Sequence, residues 1–166
     1  MGGQNQIHPK EIFRNPIQIG VLVKDLEDYL ERLENIFGIG PFRIAEYPPQ
    51  DEVAVREYHG KNGDFKAKFC FYDLGNIELE LIQPLEGESI WQDFIDTHGP
   101  GIHHIKFEVE DHGPIQKHLK EYGYEIYQKG SAVGPNKGKV WAFYPTYDDI
   151  GFDVEIMNRV ANQTAE

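Results

Sequence analysis

The stretch QIGVLV at residues 18–23 recurs in altered form as HIKFEV at residues 104–109. In both stretches the even-numbered residues are mostly polar or small and the odd-numbered residues are apolar, which is typical of a β-strand that buries one face. A segment with helical spacing of its apolar residues follows each stretch, at residues 24–37 and 114–122. The chain therefore contains two copies of one strand–helix pattern.

Further strands complete each copy. The first copy has strand-like runs near residues 53–58, at 65–72 and at 77–83, and the second has them at 125–128, 140–144 and 152–158. Each copy thus predicts a β-α-β-β-β module. Neither module is long enough to bury much core by itself, so we expect the two sheets to pair.

The two modules are predicted to form a single domain over residues 16–158, with one short helix around residues 90–94. Its parts are an N-terminal tail (1–15), the first module (16–84), a linker (85–101), the second module (102–158) and a C-terminal tail (159–166). The two tails are polar and lack periodicity, which is why we exclude them from the domain.

Strand alternation gives the predicted sheet an apolar face, which the two helices can cover. The opposite face carries polar side chains at equivalent positions of the two copies. Gln18 and His104 form one such pair, and Glu80 and Glu155 form the other. If the two sheets curve towards each other, these side chains converge and offer an imidazole, two carboxylates and an amide oxygen to a divalent metal ion. The alternative is that this face is simply the solvent-exposed side of an antiparallel sheet.

Composition and charge argue against several classes of protein. The 166 residues include 16 basic and 28 acidic side chains, for a net charge of −12, which opposes binding to nucleic acid or to an anionic membrane. The longest apolar runs, such as residues 17–23, are far too short to span a bilayer. A single cysteine, Cys70, and the lack of a visible secretory signal lead us to expect a cytoplasmic protein.

Four motifs lie at the strands and turns of the two modules. They are QIGVLVKDL at residues 18–26, LGNIELELIQP at 74–84, GPGIHHI at 99–105 and FDVEIM at 152–157. As a set they resemble the vicinal oxygen chelate superfamily, which includes glyoxalase I, methylmalonyl-CoA epimerase, extradiol dioxygenases and bleomycin-resistance proteins. The resemblance implies an α+β fold in which two tandem βαβββ modules form a half-open eight-stranded barrel, with the helices outside and one divalent metal ion at its centre.

The resemblance also implies four metal ligands, namely Gln18, Glu80, His104 and Glu155. His104 is chosen over His103 because it directly precedes the IKFEV strand, and alternation turns His103 to the opposite side. The ligand combination is similar to that of zinc-dependent glyoxalase I, so zinc is the expected metal, with cobalt, nickel and manganese as alternatives. The surrounding stretch ELIQPLEGES at residues 80–89 resembles methylmalonyl-CoA epimerase.

The first functional hypothesis is an enzyme that moves a proton next to a carbonyl group: an epimerase, an isomerase or a glyoxalase-type lyase. We expect Glu155 to be the base and Glu80 its partner on the opposite side of the site. Lys106 either orients an acidic group of the substrate or neutralises these carboxylates. The expected partners are a small carbonyl compound, with an acyl-CoA as one candidate, and a second copy of the chain, since members of the superfamily usually dimerise.

Two further hypotheses come from other members of the superfamily. A non-catalytic binding protein of the bleomycin-resistance type would not need a tightly held metal ion. An iron dioxygenase needs two histidines and a carboxylate, and Gln18 stands at the position of the first histidine. Leu22 stands where glyoxalase I has the arginine that holds glutathione, so lactoylglutathione is a doubtful substrate.

Overall fold

The computed structural model describes residues 13–51 and 54–158 of the chain. The strands are β1 (Pro16–Leu22), β2 (Ile44–Tyr47), β3 (Arg56–Tyr58), β4 (Lys61–Asn62), β5 (Lys66–Asp73), β6 (Glu78–Glu86), β7 (Gly101–Val109), β8 (Gln128–Ser131), β9 (Val140–Tyr144) and β10 (Asp153–Asn158). The helices are α1 (Leu26–Phe37), α2 (Ile90–His98), α3 (His112–Glu121) and α4 (Tyr147–Ile150), with a 3₁₀ turn at Gly134–Asn136. Most of the predicted N-terminal tail and the whole predicted C-terminal tail lie outside the described residues. No helix within the described ranges is long and apolar enough to cross a membrane.

All ten strands belong to one curled sheet in the order β2-β5-β6-β1-β7-β10-β9-β8-β3-β4. β1 pairs with β6 in parallel, β7 pairs with β10 in parallel, and the two halves meet where β1 pairs antiparallel with β7. The two four-stranded halves are β2-β5-β6-β1 and β7-β10-β9-β8. The second strand of the first half is β2, and the strand that was predicted for this place near residues 53–58 is instead β3. The sheet forms a half-barrel, which confirms the predicted α+β fold.

The sheet has two more strands than the eight that were expected. β3 and β4 form a hairpin within the first half of the chain, but β3 pairs with β8 of the second half, with Arg56 opposite Gly130 and Tyr58 opposite Gln128. This pairing satisfies the backbone N–H and C=O groups along an edge of β8 that would otherwise be open. The hairpin therefore joins the two halves across the sheet edge.

Local signals in the sequence explain where α1 begins and ends. Asp25 caps the helix by accepting a hydrogen bond from the backbone N–H of Asp28, and Gly38 ends it with a left-handed φ of 65°. α3 begins two residues before its predicted start, because Asp111 caps it by accepting a hydrogen bond from the N–H of Gly113.

The strand predicted at residues 125–128 lies further along the chain, at β8. Gly130 of β8 lies opposite Trp141 of β9, and the indole ring of Trp141 covers this glycine. A Cβ atom at Gly130 would lie 2.4 Å from Trp141 Cζ2, so only glycine fits there without displacing the ring.

The outer face of the sheet carries the apolar side chains that were predicted for it. Under α1 the buried cluster is Val21, Val23, Leu26, Leu30, Cys70 and Leu81, and under α3 it is Phe107, Ile115, Tyr144, Val154 and Ile156. These clusters confirm that α1 and α3 cover this face.

The inner face, which is the face that carries Glu80, His104 and Glu155, is only partly polar. A third apolar cluster fills one end of it, and the helix between the modules, α2, packs there. The cluster comprises Leu22, Tyr47, Phe65, Ala67, Phe69, Ile82, Ile90, Trp91, Phe94, Ile95, Ala132, Trp141, Phe143 and Met157. Two helices thus lie outside the half-barrel, as expected, whereas α2 packs within it.

Candidate metal centre

Three potential metal ligands meet on the inner face: a carboxylate from β6, an imidazole from β7 and a carboxylate from β10. His104 Nε2 lies 3.0 Å from Glu80 Oε2 and 3.1 Å from Glu155 Oε2. The three ligand atoms all lie within 4.8 Å of one another, and all three residues are buried. One small divalent cation with ligand bonds of about 2 Å can be held by atoms at this spacing.

Strand register and one glycine make this arrangement possible. Gly20 of β1 lies between Glu80 of β6 and His104 of β7 in the register of the sheet. A Cβ atom on Gly20 would lie 1.9 Å from Cε1 of His104, so the imidazole ring lies directly over the glycine backbone. The glycine in the middle of β1 therefore makes room for the ligand ring.

Electrostatics favour a cation among these three side chains. Burial by itself lowers the pKa of His104, but hydrogen bonds to Glu155 and Glu80 and their charges outweigh it and raise the pKa to about 9. Burial by itself raises the pKa of Glu80, but Lys106 and His104 outweigh it and lower the pKa. Without a metal ion, the group therefore holds a proton on His104 between two carboxylates. A metal ion competes with that proton for the same nitrogen.

Gln18 offers a fourth ligand atom on the same face. Its Nε2 donates a hydrogen bond of 2.6 Å to Glu78 Oε1, and because a carboxylate only accepts, this contact fixes which end of the amide is nitrogen. Gln18 Oε1 is buried and has no hydrogen-bond partner among the described residues. A buried amide oxygen without a partner is unfavourable unless a cation or a donor completes it, so this atom fits the expected ligand set.

Lys106 contacts both carboxylates from the same strand as His104. Its Nζ lies 3.3 Å from Glu155 Oε1 and 3.9 Å from Glu80 Oε1. Burial by itself lowers the pKa of Lys106, but the charges of Glu155 and Glu80 outweigh it and raise the pKa. Of the two roles considered for this lysine, the contacts favour neutralisation of the two carboxylates.

His103 does not point to the opposite side of the sheet, and that expectation was wrong. The register shifts between the pairs Gly20–His104 and Val21–Ile102, so His103 is the extra residue of a β-bulge. Its ring is buried, and its Nε2 lies 3.1 Å from Asp153 Oδ2. Simple alternation cannot reveal a bulge, and the signals in the sequence were a second histidine directly before His104 and an aspartate two residues before Glu155.

The side chains of the candidate centre are buried. Gln18, Glu80, His104, Lys106 and Glu155 are each at most 5% exposed, so a ligand can reach them only if part of the surrounding structure moves.

Aromatic side chains of α2 and β9 pack against the two histidines. Phe94 of α2 packs against His103, and Phe143 of β9 packs edge-on against His104. The N-terminus of α2 is held by Gln128, whose Oε1 accepts a hydrogen bond from the N–H of Ile90. The packing of α2 on this face was not predicted, because the residues of a linker do not show which side of a sheet they will cover.

Comparison with known families agrees with this geometry. A model of the glyoxalase/bleomycin resistance protein/dioxygenase superfamily matches residues 17–143. The chain belongs to this superfamily. The resemblance identified in the four sequence motifs is therefore confirmed.

Relatives of this superfamily member include methylmalonyl-CoA epimerases. The ethylmalonyl-CoA/methylmalonyl-CoA epimerase of Cereibacter sphaeroides is 31% identical over 140 residues, which are 83% of this chain and 92% of the epimerase. The methylmalonyl-CoA epimerase of Mycobacterium tuberculosis has a similar structure, with a TM-score of 0.59, 18% identity and coverage of 94% of this chain and 95% of the epimerase. A complex of the Streptomyces coelicolor epimerase with 2-nitronate-propionyl-CoA gives a TM-score of 0.56 at 18% identity, covering 89% and 98% of the two chains. The two solved structures show a shared fold.

Proposed function

We propose that this protein is a metal-dependent enzyme that removes and returns a proton at the carbon next to a carbonyl group, as an acyl-CoA epimerase does. The observation that carries this proposal is the buried group of Glu80, His104 and Glu155, with the unpartnered oxygen of Gln18 on the same face. The similarity to the Cereibacter sphaeroides epimerase over most of both chains supports it.

The proposed metal ligands are Gln18, Glu80, His104 and Glu155. One imidazole nitrogen and three oxygens suit zinc, which we prefer, and also cobalt, nickel and manganese. A divalent cation bound there supplies a Lewis acid that stabilises the negative charge on the oxygen of an enolate.

The two carboxylates supply the proton transfers. Glu155 is the proposed base, and the contact of 3.3 Å between its Oε1 and Lys106 Nζ holds the carboxylate in position. Glu80 flanks His104 Nε2 as the equivalent residue of the other module. An epimerase must take the proton from one side of a carbon and return it to the other. Two carboxylates that flank one imidazole from the two halves of a half-barrel suit that requirement.

The net charge of the site suits a substrate that becomes an anion. Glu80 and Glu155 together carry two negative charges and Lys106 carries one positive charge, which leaves one negative charge among the three. A dication changes this to one positive charge. When Glu155 accepts the proton, the site carries two positive charges, which the negative charge of the enolate partly offsets. Since the site is buried, this balance is felt strongly by the reacting atoms.

We propose an acyl-CoA as the substrate. Support comes from the acyl-CoA epimerases among the relatives and from Leu22, which is fully buried in the inner apolar cluster where an arginine would be expected for glutathione. A lyase acting on a glutathione adduct is therefore the less favoured reaction.

We also propose a homodimer in the cytoplasm, in keeping with the usual assembly of the superfamily and with the single buried Cys70. Size-exclusion chromatography with light scattering measures the assembly directly. A mass equal to that of one chain across micromolar concentrations contradicts the dimer.

The test of the proposed function has two parts. The first is the metal content of the purified protein, before and after incubation with Zn²⁺ and removal of the excess. The second is deuterium incorporation at the α-carbon of methylmalonyl-CoA and ethylmalonyl-CoA in D₂O, followed by mass spectrometry. We expect one metal ion per chain and exchange that stops in Glu155→Gln and in Glu80→Gln.

Glu86→Gln is the matched control for Glu80→Gln. Glu86 lies on the same strand, is exposed, and pairs only with Lys66 at 2.9 Å among the contacts that the structure gives it, so the same chemical change there should leave metal content and exchange intact. Absence of bound metal after reconstitution refutes the metal-dependent mechanism and favours a ligand-binding protein. Bound metal without exchange on either acyl-CoA refutes the substrate class and leaves the centre in place.

A further inference from the structure

A chain of buried polar groups leads away from the metal centre. His104 Nδ1, on the side of the ring away from the carboxylates, lies 2.9 Å from His103 Nδ1. His103 Nε2 lies 3.1 Å from Asp153 Oδ2, which also accepts a hydrogen bond from the hydroxyl of Tyr127. The two histidines and the aspartate are each at most 1% exposed, so water does not compete for these contacts.

Asp153 determines the direction of the hydrogen bonds in this chain. A carboxylate only accepts, so the proton in its contact with His103 must lie on His103 Nε2. The two rings share the contact between their Nδ1 atoms, so one of these atoms must donate and the other must accept. A neutral His103 ring, which burial favours, has its one proton on Nε2 and none on Nδ1. Since His103 Nδ1 then accepts, His104 Nδ1 must donate. This pattern leaves Nε2 of a neutral His104 without a proton.

We propose that Asp153, acting through His103, keeps a proton on His104 Nδ1, so that Nε2 is the nitrogen that gives up its proton to a metal ion and turns a lone pair towards Glu80 and Glu155. This inference rests on the proposed metal-binding role of His104. A lone pair and two carboxylates repel one another unless a positive charge lies between them, so the relay makes the group a better cation site than three independent side chains would be. Asp153 and His103 are positioning residues, since they act through His104.

The structural role of Asp153 can be separated from the relay by atom. Its Oδ1 accepts hydrogen bonds of 3.0 Å from the N–H groups of Thr146 and Tyr147 and so holds the start of α4. Its Oδ2 faces His103. An asparagine with its carbonyl oxygen at the Oδ1 position keeps the two backbone contacts and puts an NH₂ group at the Oδ2 position. That group donates to His103 Nε2, reverses both tautomers, and puts a proton on His104 Nε2.

The experiment compares wild type, Asp153→Asn and two other variants. Tyr127→Phe removes the hydroxyl contact to Asp153 but leaves the direction of the relay unchanged. Asp149→Asn is the matched control, because Tyr124 donates a hydrogen bond of 2.6 Å to Asp149 Oδ2 in an exposed pair of the same chemistry. The readouts are the tautomer of His103 in the metal-free protein, from ¹⁵N–¹H long-range NMR correlations, and the affinity for Zn²⁺, from competition with a chromophoric chelator.

In wild type we expect His103 with its proton on Nε2, and in Asp153→Asn with its proton on Nδ1. We expect Asp153→Asn to bind Zn²⁺ about 10- to 100-fold more weakly, while Asp149→Asn and Tyr127→Phe stay within about threefold of wild type.

Three results separate the relay from the proposed function. Wild type with the His103 proton on Nδ1, or a folded Asp153→Asn protein that binds Zn²⁺ as tightly as wild type, overturns the relay. Because the wild-type spectrum decides the first point, the test does not depend on the variant folding. If wild type has the His103 proton on Nε2 but binds no metal ion, the metal-dependent function is refuted and the assignment of the His103 tautomer still holds.

Discussion

Gly20→Ala tests whether the position of the His104 ring depends on the space over the backbone of Gly20. The added Cβ atom would lie 1.9, 2.1 and 2.4 Å from three ring atoms of His104. To go from 1.9 Å to the 3.4 Å at which ordinary van der Waals contact begins, the ring must retreat by about 1.5 Å. Since β1 lies between β6 and β7 at the middle of the sheet, the backbone cannot absorb this shift easily.

A displacement of that size breaks the centre. The contacts of His104 Nε2 to Glu80 and Glu155 are 3.0 and 3.1 Å long, so a movement of about 1.5 Å removes the ring from at least one of them. We expect a loss of about 1–3 kcal/mol in the free energy of unfolding, as for other overpacked cores, and a loss of at least tenfold in affinity for Zn²⁺. Urea unfolding of the metal-free protein and chelator competition measure the two quantities.

Gly130→Ala is the control for overpacking as such. Its Cβ atom would lie 2.4 Å from Trp141 Cζ2 on β9, so we expect a comparable loss of stability without loss of Zn²⁺ binding. The reasoning is refuted if Gly20→Ala binds Zn²⁺ as tightly as wild type, or if the two variants lose affinity equally.

Two further predictions concern charge and pH. In Lys106→Met two buried carboxylates lose their neutralising partner, so we expect the free energy of unfolding of the metal-free protein, measured in urea, to fall by about 3–5 kcal/mol. We also expect Zn²⁺ to raise the Tm of this variant by more than it raises the Tm of wild type. Equal stabilities of the two metal-free proteins would exclude neutralisation as the role of Lys106. His112 is buried against the Tyr144 hydroxyl, which lies 2.7 Å from its Nε2, and burial lowers its pKa from 6.5 to about 4. Between pH 4 and pH 6.5 the unfolded chain therefore binds a proton at this residue and the folded protein does not. The contribution of His112 to stability is therefore complete above pH 6.5 and is lost as pH falls towards 4, by up to about 3 kcal/mol. The difference in unfolding free energy between metal-free wild type and His112→Gln should shrink over that range. Parallel curves of unfolding free energy against pH would contradict this prediction.

Much of the fold follows from features that are local in sequence. The repeat of strand and helix, the cap at Asp25 and the end of α1 at Gly38 depend on residues a few positions apart, and the structure contains all three. The alternation of polar and apolar residues also brought Glu80, His104 and Glu155 to one face, where the structure brings their ligand atoms together.

The features that were missed depend on contacts between distant segments. The bulge that turns His103 inward is visible only in the pairing of β1 with β7. The start of β8 was placed three residues early, because its position depends on the pairing with β9, where Gly130 lies opposite Trp141, eleven positions along the chain. The packing of α2 on the inner face depends on an apolar end of that face assembled from both modules, which no single segment of the sequence contains.

The β3–β4 hairpin determines how the protein should behave if its two modules are expressed as separate fragments. It is encoded in the first half but completes the edge of β8 in the second half, while β1 and β7 meet at the centre of the sheet. An N-terminal fragment that ends between the modules therefore contains the hairpin. The remaining C-terminal fragment has open edges at both β7 and β8, and open edges pair readily with other chains. Expressed separately, the halves should aggregate. Expressed together, each supplies the edges that the other lacks, so they should reassemble into a non-covalent pair.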